Sequence, residues 1–232
     1  MALLNRGHVH MLARLFGAFA SIALIIFALA PAAHAHPHVW ITYQTTVAYD
    51  KGSIIGFDHV WTFDDMYTAM AIEGLDKNGD GVYTREELAE LAQVNMEGLK
   101  DFDYFTYAKL GDTDLKMAPP QDAWLEHKNG ILSLHFRLPL EKAVPPDAKG
   151  FTFAVYDPSF FIAFEPQKND PIKLAAGAPP NCKATISAPK SDEKTDDLKT
   201  QLLNDAFAQQ LGQSMNIGAG FTPTISVNCG KS

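Results

Sequence analysis

The chain has 232 residues, with 27 acidic against 19 basic side chains and a formal net charge of −8. That length suits one good-sized domain or two small ones. The acidic balance argues against nucleic acid as a partner and suits a protein that attracts cations.

The first 35 residues read as an export signal rather than as fold. Arg6 and Arg14 precede the apolar run Leu15 to Ala30, and Ala33-x-Ala35 offers cleavage after Ala35. The run falls short of the roughly twenty residues that a membrane span requires. Residues 36–232 are then expected to form a single periplasmic domain with no transmembrane segment. Losing Arg6 and Arg14 leaves 17 basic against 27 acidic residues, a net charge near −10.

From His36 to Tyr49 apolar residues alternate with polar ones, and Ile54 to Phe63 repeats the pattern after Asp50-Lys51-Gly52-Ser53. This predicts a β-hairpin, with Gly52 supplying the positive φ of the turn. A two-residue turn sets a register in which His38 faces Asp65 and His59 faces Gln44. Asp64 or Asp65 is a fair N-cap for a helix to about Leu75. A second helix follows Thr84-x-x-Glu87, a capping box, and runs to about Lys100. Further strands are expected at Tyr104–Ala108, Trp124–His127, Ile131–Leu138, Phe151–Tyr156 and Phe160–Phe164, with Asn129-Gly130 as a hairpin turn. Leu198, Leu202, Ala206, Phe207 and Leu211 share one face of a C-terminal amphipathic helix. These elements predict an α+β fold: a sheet-rich domain with an EF-hand-like helix–loop–helix inserted at about 64–100 and a C-terminal amphipathic helix.

Two cysteines, Cys182 and Cys229, flank short strand-like runs near the end of the chain. In an oxidising compartment an even pair reads as a disulfide, here stapling a long loop.

The strongest chemical signal is Asp76 to Glu87, which fits the calcium-loop pattern D-x-[DN]-x-[DN]-G-x5-E at every defined position. Calcium takes six to eight oxygens in a flexible cage. Asp76, Asn78 and Asp80 offer side-chain oxygens, Val82 a backbone carbonyl, Thr84 a water-mediated contact, and Glu87 a bidentate carboxylate. Gly81 allows the sharp bend, and Tyr83 is expected to face away from the ion as an apolar anchor.

Cleavage after Ala35 would leave His36-Pro37-His38 at the new N-terminus, with a free amine and two imidazoles. Nitrogen donors of this kind suit nickel, cobalt, zinc or copper. Asp64 or Asp65 is the better-placed carboxylate partner, the register setting Asp65 opposite His38, so His36, His38 and Asp65 form a candidate transition-metal site. No phosphate loop, nucleophile elbow or His-Glu-x-x-His helix is present, so no catalytic residue is assigned.

Four stretches carry a resemblance: His36-Pro37-His38-Val39-Trp40, His59-Val60-Trp61-Thr62-Phe63-Asp64, Tyr104-Phe105-Thr106 and Tyr156-Asp157-Pro158-Ser159. The chain resembles the bacterial domain-of-unknown-function family numbered one thousand and seven. Its members are labelled periplasmic components of uncharacterised ABC-type transport systems and are often linked to nickel/cobalt transporters. The resemblance implies a role in metal-ion traffic beside a membrane-embedded metal-ion transporter. The expected function is that of a non-enzymatic periplasmic protein that binds calcium and a transition metal and serves a divalent-cation transport system. The alternatives are a secreted copper enzyme with an N-terminal histidine site and a calcium-stiffened protein-interaction module.

Overall fold

Alternation of apolar and polar side chains builds most of the molecule. The structure, a computed structural model, describes residues 38–189 and 218–229. The chain divides into two units, Met1–His34 and Ala35–Ser232, and all described residues belong to the second.

The first sheet contains β1 (Val39–Asp50), β2 (Ser53–Phe63), β5 (Gln121–Lys128), β6 (Ile131–Val144), β8 (Ile162–Pro166) and β9 (Ile172–Leu174). Its order is β5-β6-β2-β1-β8, with β9 continuing along β1 beyond β8. Both β8 and β9 run parallel to β1, whereas β1–β2, β2–β6 and β5–β6 are antiparallel. The second sheet has the order β10 (Cys182–Ser187), β11 (Thr224–Cys229), β7 (Phe151–Val155), β3 (Thr106–Leu110) and β4 (Thr113–Leu115).

The inward faces follow the two-residue period of a pleated strand. Ile41, Tyr43, Thr45 and Val47 are buried on β1, and Phe57, His59, Trp61 and Phe63 on β2. Phe151, Phe153 and Val155 on β7 answer them from the second sheet. The Phe57 ring lies 4.7 Å from that of Phe153, so the two sheets close on one aromatic core.

The expected hairpin forms, and Lys51 and Gly52 both take positive φ, at 48° and 82°. Its register differs from a simple count. Asp50 pairs with Ser53 and Tyr49 with Ile54, but an irregularity then puts Ala48 opposite Gly56. That extra residue is a β-bulge, and it moves every later pair by one. His59 therefore faces Thr45 rather than Gln44, and both point into the core. Gly56 sits at the bulge because a Cβ there would lie 2.5 Å from the Leu138 carbonyl oxygen.

The α+β expectation is corrected: the described molecule is sheet-dominated, with helices confined to short segments. These are α1 (Asp65–Ala71), α2 (Ala89–Leu99), α3 (Gly218–Phe221) and a 3-10 segment, Lys100–Phe105. An inserted EF-hand helix–loop–helix is not built. Asp64 caps α1 as expected, accepting from the Tyr67 N–H at 2.7 Å. The helix stops at Ala71, however, and Gly74 at φ 76° turns the chain away well before Asp76. Regular helix resumes only at Ala89, beyond Glu87, so neither end of the acidic loop is fused to a helix. The expected amphipathic helix over Leu198–Leu211 lies outside the described residues.

Residues 64–105 thus form a short helical excursion between β2 of the first sheet and β3 of the second. Thr68 of α1 accepts the Leu132 N–H at 3.1 Å. It satisfies a β6 donor at the point where the β2–β6 ladder has ended. The excursion ends in strain: Asp103, Tyr104 and Phe105 all take positive φ, at 51°, 52° and 47°. The left-handed region costs an L-residue about 1–2 kcal/mol, and three in succession are rare. The strand expected from Tyr104 accordingly begins only at Thr106.

Cys182 pairs with Cys229 across the antiparallel β10–β11 ladder, and the two form the expected disulfide. No helix among the described residues is long and apolar enough to cross a membrane.

Candidate metal centre

Local hydrogen bonds shape the acidic loop. The Asp76 carboxylate accepts the Gly79 N–H through Oδ1 at 2.8 Å and the Gly81 N–H through Oδ2 at 2.9 Å. Asn78 Oδ1 accepts the Asp80 N–H, and Asp80 Oδ1 accepts the Val82 N–H at 2.7 Å. Gly79 and Gly81, at φ 73° and 77°, let backbone donors turn inward where a Cβ would resist the conformation.

Glu87 closes the loop. Its Oε1 accepts the Lys77 N–H at 3.1 Å, which returns the twelfth residue to the second. Its Oε2 accepts both the N–H and the hydroxyl of Thr84, at 2.9 and 2.8 Å, and the Glu87 N–H bonds back to Thr84 Oγ1 at 3.2 Å. The capping box therefore forms, over a turn that precedes α2. These bonds favour the ionised carboxylate and hold the Glu87 carboxyl below its usual range, Thr84 contributing most and the Lys77 N–H after it.

Two ring contacts fasten the far side of the loop to the first sheet. Tyr83 meets His127 edge-on at 4.7 Å, as expected of an anchor turned away from the ligand oxygens. The Arg85 guanidinium lies 4.4 Å from the Trp124 ring centre, and Trp124 stacks on His135 at 4.0 Å. His135 is held below its usual pKa, chiefly by burial and despite Glu126 at 3.7 Å. Leu88, fully buried, pins the chain just past Glu87.

The donor set is all oxygen, which fits a hard cation such as calcium. The two Asp76 oxygens and Glu87 Oε1 each accept one backbone bond and retain a lone pair, whereas Glu87 Oε2 is occupied by the Thr84 N–H and hydroxyl. Among the described residues no three His, Cys, Asp or Glu side chains are gathered tightly enough to hold an ion as they stand. The Val82 side chain is 59% exposed and Asp80 is also exposed, so this side of the loop is open to water.

The candidate transition-metal residues fare differently. His36 lies outside the described residues. The His38 ring packs on the Phe161 ring at 4.6 Å, and the backbone N–H of His38 donates to the Phe161 carbonyl at 2.9 Å. Asp65 accepts the Met66 N–H, while the carboxylate that reaches β1 is that of Asp64, taking the Trp40 N–H at 2.8 Å. The register bulge accounts for this shift.

His59, which the simple turn count set opposite Gln44, is a buried core residue opposite Thr45. Its Nδ1 lies 3.0 Å from the Thr45 hydroxyl and its Nε2 3.3 Å from that of Thr106. Thr106 donates onward to the Tyr104 carbonyl at 3.0 Å. Its oxygen is thus left to accept from Nε2–H, and Thr45 donates to Nδ1. Both nitrogens are used, so His59 is a neutral bridge between the sheets and offers nothing to a metal.

The fold and the loop define a class: a disulfide-stapled, two-sheet β-protein that displays an acidic twelve-residue loop on a short helical excursion. The chain belongs to the family described as "protein of unknown function (DUF1007)", which matches residues 21–229. It is similar to an uncharacterized protein of Haemophilus influenzae, 24% identical over 202 residues that span 84% of this chain and 91% of that one. It is also similar to an uncharacterized 15.5 kDa protein in the trpE 3' region of Spirochaeta aurantia, 31% identical over 100 residues, or 43% of this chain and 70% of that one. No solved structure matches.

Proposed function

We propose that the protein is an exported calcium-binding accessory of a divalent-cation transport system, with no catalytic chemistry of its own. The observation that carries the calcium reading is the return of Glu87 to the Lys77 N–H. It brings the last acidic residue of the motif back to the residue that follows Asp76, closing the loop on itself. Calcium binding would turn oxygens that now hold backbone N–H groups, and the Asn78 amide, toward the ion. The Cys182–Cys229 disulfide fits an oxidising compartment outside the cytoplasm, where a weak calcium site would be filled. The transport role rests on the family resemblance, and the net negative charge of the chain supports it through attraction of cations.

Isothermal titration with calcium is expected to show one site, with Asp76, Asn78, Asp80, Glu87, the Val82 carbonyl and a Thr84-bound water as ligands. Glu87→Gln should weaken it by about tenfold or more. Absence of binding at millimolar calcium would sink the reading. Nickel, cobalt, zinc and copper are to be titrated against His36→Ala and His38→Ala. If these variants bind as the parent does, no N-terminal metal site exists.

A further inference from the structure

Helix α1 carries two methionines that its packing does not use. Met66 and Met70 are each 66% exposed, the most exposed of the large apolar side chains among the described residues. They stand four residues apart, which puts them on one face of the helix, a turn from each other. Thr68, midway between them in sequence, is the residue that α1 buries against β6, so the methionine face is turned away from the sheet. Met96 and Met117, by contrast, pack against the core. A single exposed apolar side chain is ordinary, but packing does not account for a pair in this arrangement.

Three observations give the face a chemistry. A thioether is a soft donor on an unbranched side chain with three rotatable bonds. Two of them, on Cβ atoms about 5–6 Å apart, can therefore close on one ion. Thioethers suit copper(I), where carboxylates and carbonyls suit calcium or magnesium. The carboxylates at the start of α1 are engaged with backbone: Asp64 accepts the Trp40 and Tyr67 N–H groups, and Asp65 accepts the N–H of Met66. Their charge remains, and no lysine or arginine stands between Lys51 and Lys77 to offset it. The face thus attracts a cation and offers it sulfur.

We propose that Met66 and Met70 form a surface site for copper(I), held between the two sulfurs in the linear geometry that this ion accepts. The site is distinct from the nitrogen donors of His36 and His38 and from the oxygen donors of the acidic loop. It does not rest on the calcium reading, and the two fail separately.

The test uses the full chain with isotopically labelled methionine methyl groups, titrated with silver(I) as a redox-inert stand-in for copper(I). Signals are assigned by their loss in Met66→Leu, Met70→Leu, Met96→Leu and Met117→Leu. Those of Met66 and Met70 should move together, and those of Met96 and Met117 should stay in place. Copper reduced with ascorbate should move the same two signals. In Met66→Leu or Met70→Leu the surviving signal should need about tenfold more silver(I), or more, to move as far. Thermal unfolding of both variants should stay near that of the parent, because leucine keeps the size and helix preference at an exposed position. His38→Ala should respond as the parent does. The proposal is overturned if neither signal moves, if one moves without the other, if copper(I) moves neither, or if a single variant responds at the parent's silver concentration. Loss of the response in His38→Ala would assign the ion to the N-terminal nitrogens and overturn it as well. Movement with protein concentration alone would mean that the face is a contact between copies, which also overturns it.

Discussion

At His59 a single side chain joins the two sheets. Complete burial pushes its pKa down to about 3 from an unperturbed 6.5. The folded protein therefore resists a proton that the unfolded chain accepts readily. Stability is full above pH 6.5 and declines as pH falls toward about 3. The loss across that window is on the order of 5 kcal/mol. Urea denaturation across this range should show the slope, and His59→Asn should flatten it while lowering stability at neutral pH. The alternation Phe57, His59, Trp61, Phe63 was visible in the sequence and marked one face of β2. Which face was not visible, because a one-residue slip at the bulge reverses all inward and outward assignments.

Among the elements, those with local turn chemistry were the legible ones. Lys51-Gly52 and Asn129-Gly130 both form two-residue turns with positive φ at each position, at 48° and 82°, and 54° and 77°. The short reach of α1 and the left-handed turn at Asp103–Phe105 were not legible. Tyr104 and Phe105 favour extended backbone on composition alone, whereas in the fold both are buried and Phe105 packs against Phe164 and Phe102. The acidic loop was legible as a motif, but a motif fixes its own residues and not the lengths of its flanking helices. Two substitutions probe element junctions. Gly56→Ala should destabilise by roughly 2–4 kcal/mol, since the new Cβ would meet the Leu138 carbonyl at 2.5 Å. Thr68→Val should cost about 1–3 kcal/mol by leaving the Leu132 N–H without its acceptor. Guanidinium unfolding midpoints check both.

For the whole molecule, the disulfide and the sheet order are the long-range constraints. Cys182 and Cys229 are 47 residues apart, and closing that loop in the unfolded chain is worth roughly 4 kcal/mol. The Cys182→Ser/Cys229→Ser double variant should lose stability of that order, measured by equilibrium unfolding without reductant. Their pairing could be read from the sequence, because two cysteines allow only one intramolecular bridge. The partners of β1 could not. It takes β2 from its own hairpin, but its other edge waits for β8 and β9, which pair Val39 with Ile162 and Thr45 with Ile172. A strand whose second neighbour arrives so late in the chain makes folding kinetically slow, because a large loop must close before those contacts repay it. Stopped-flow refolding with the disulfide intact is therefore expected on the millisecond-to-second scale. During synthesis the N-terminal hairpin would present an open strand edge until most of the chain has followed. That edge stays unpaired until the last third of the chain is available, so β1 completes its pairing late.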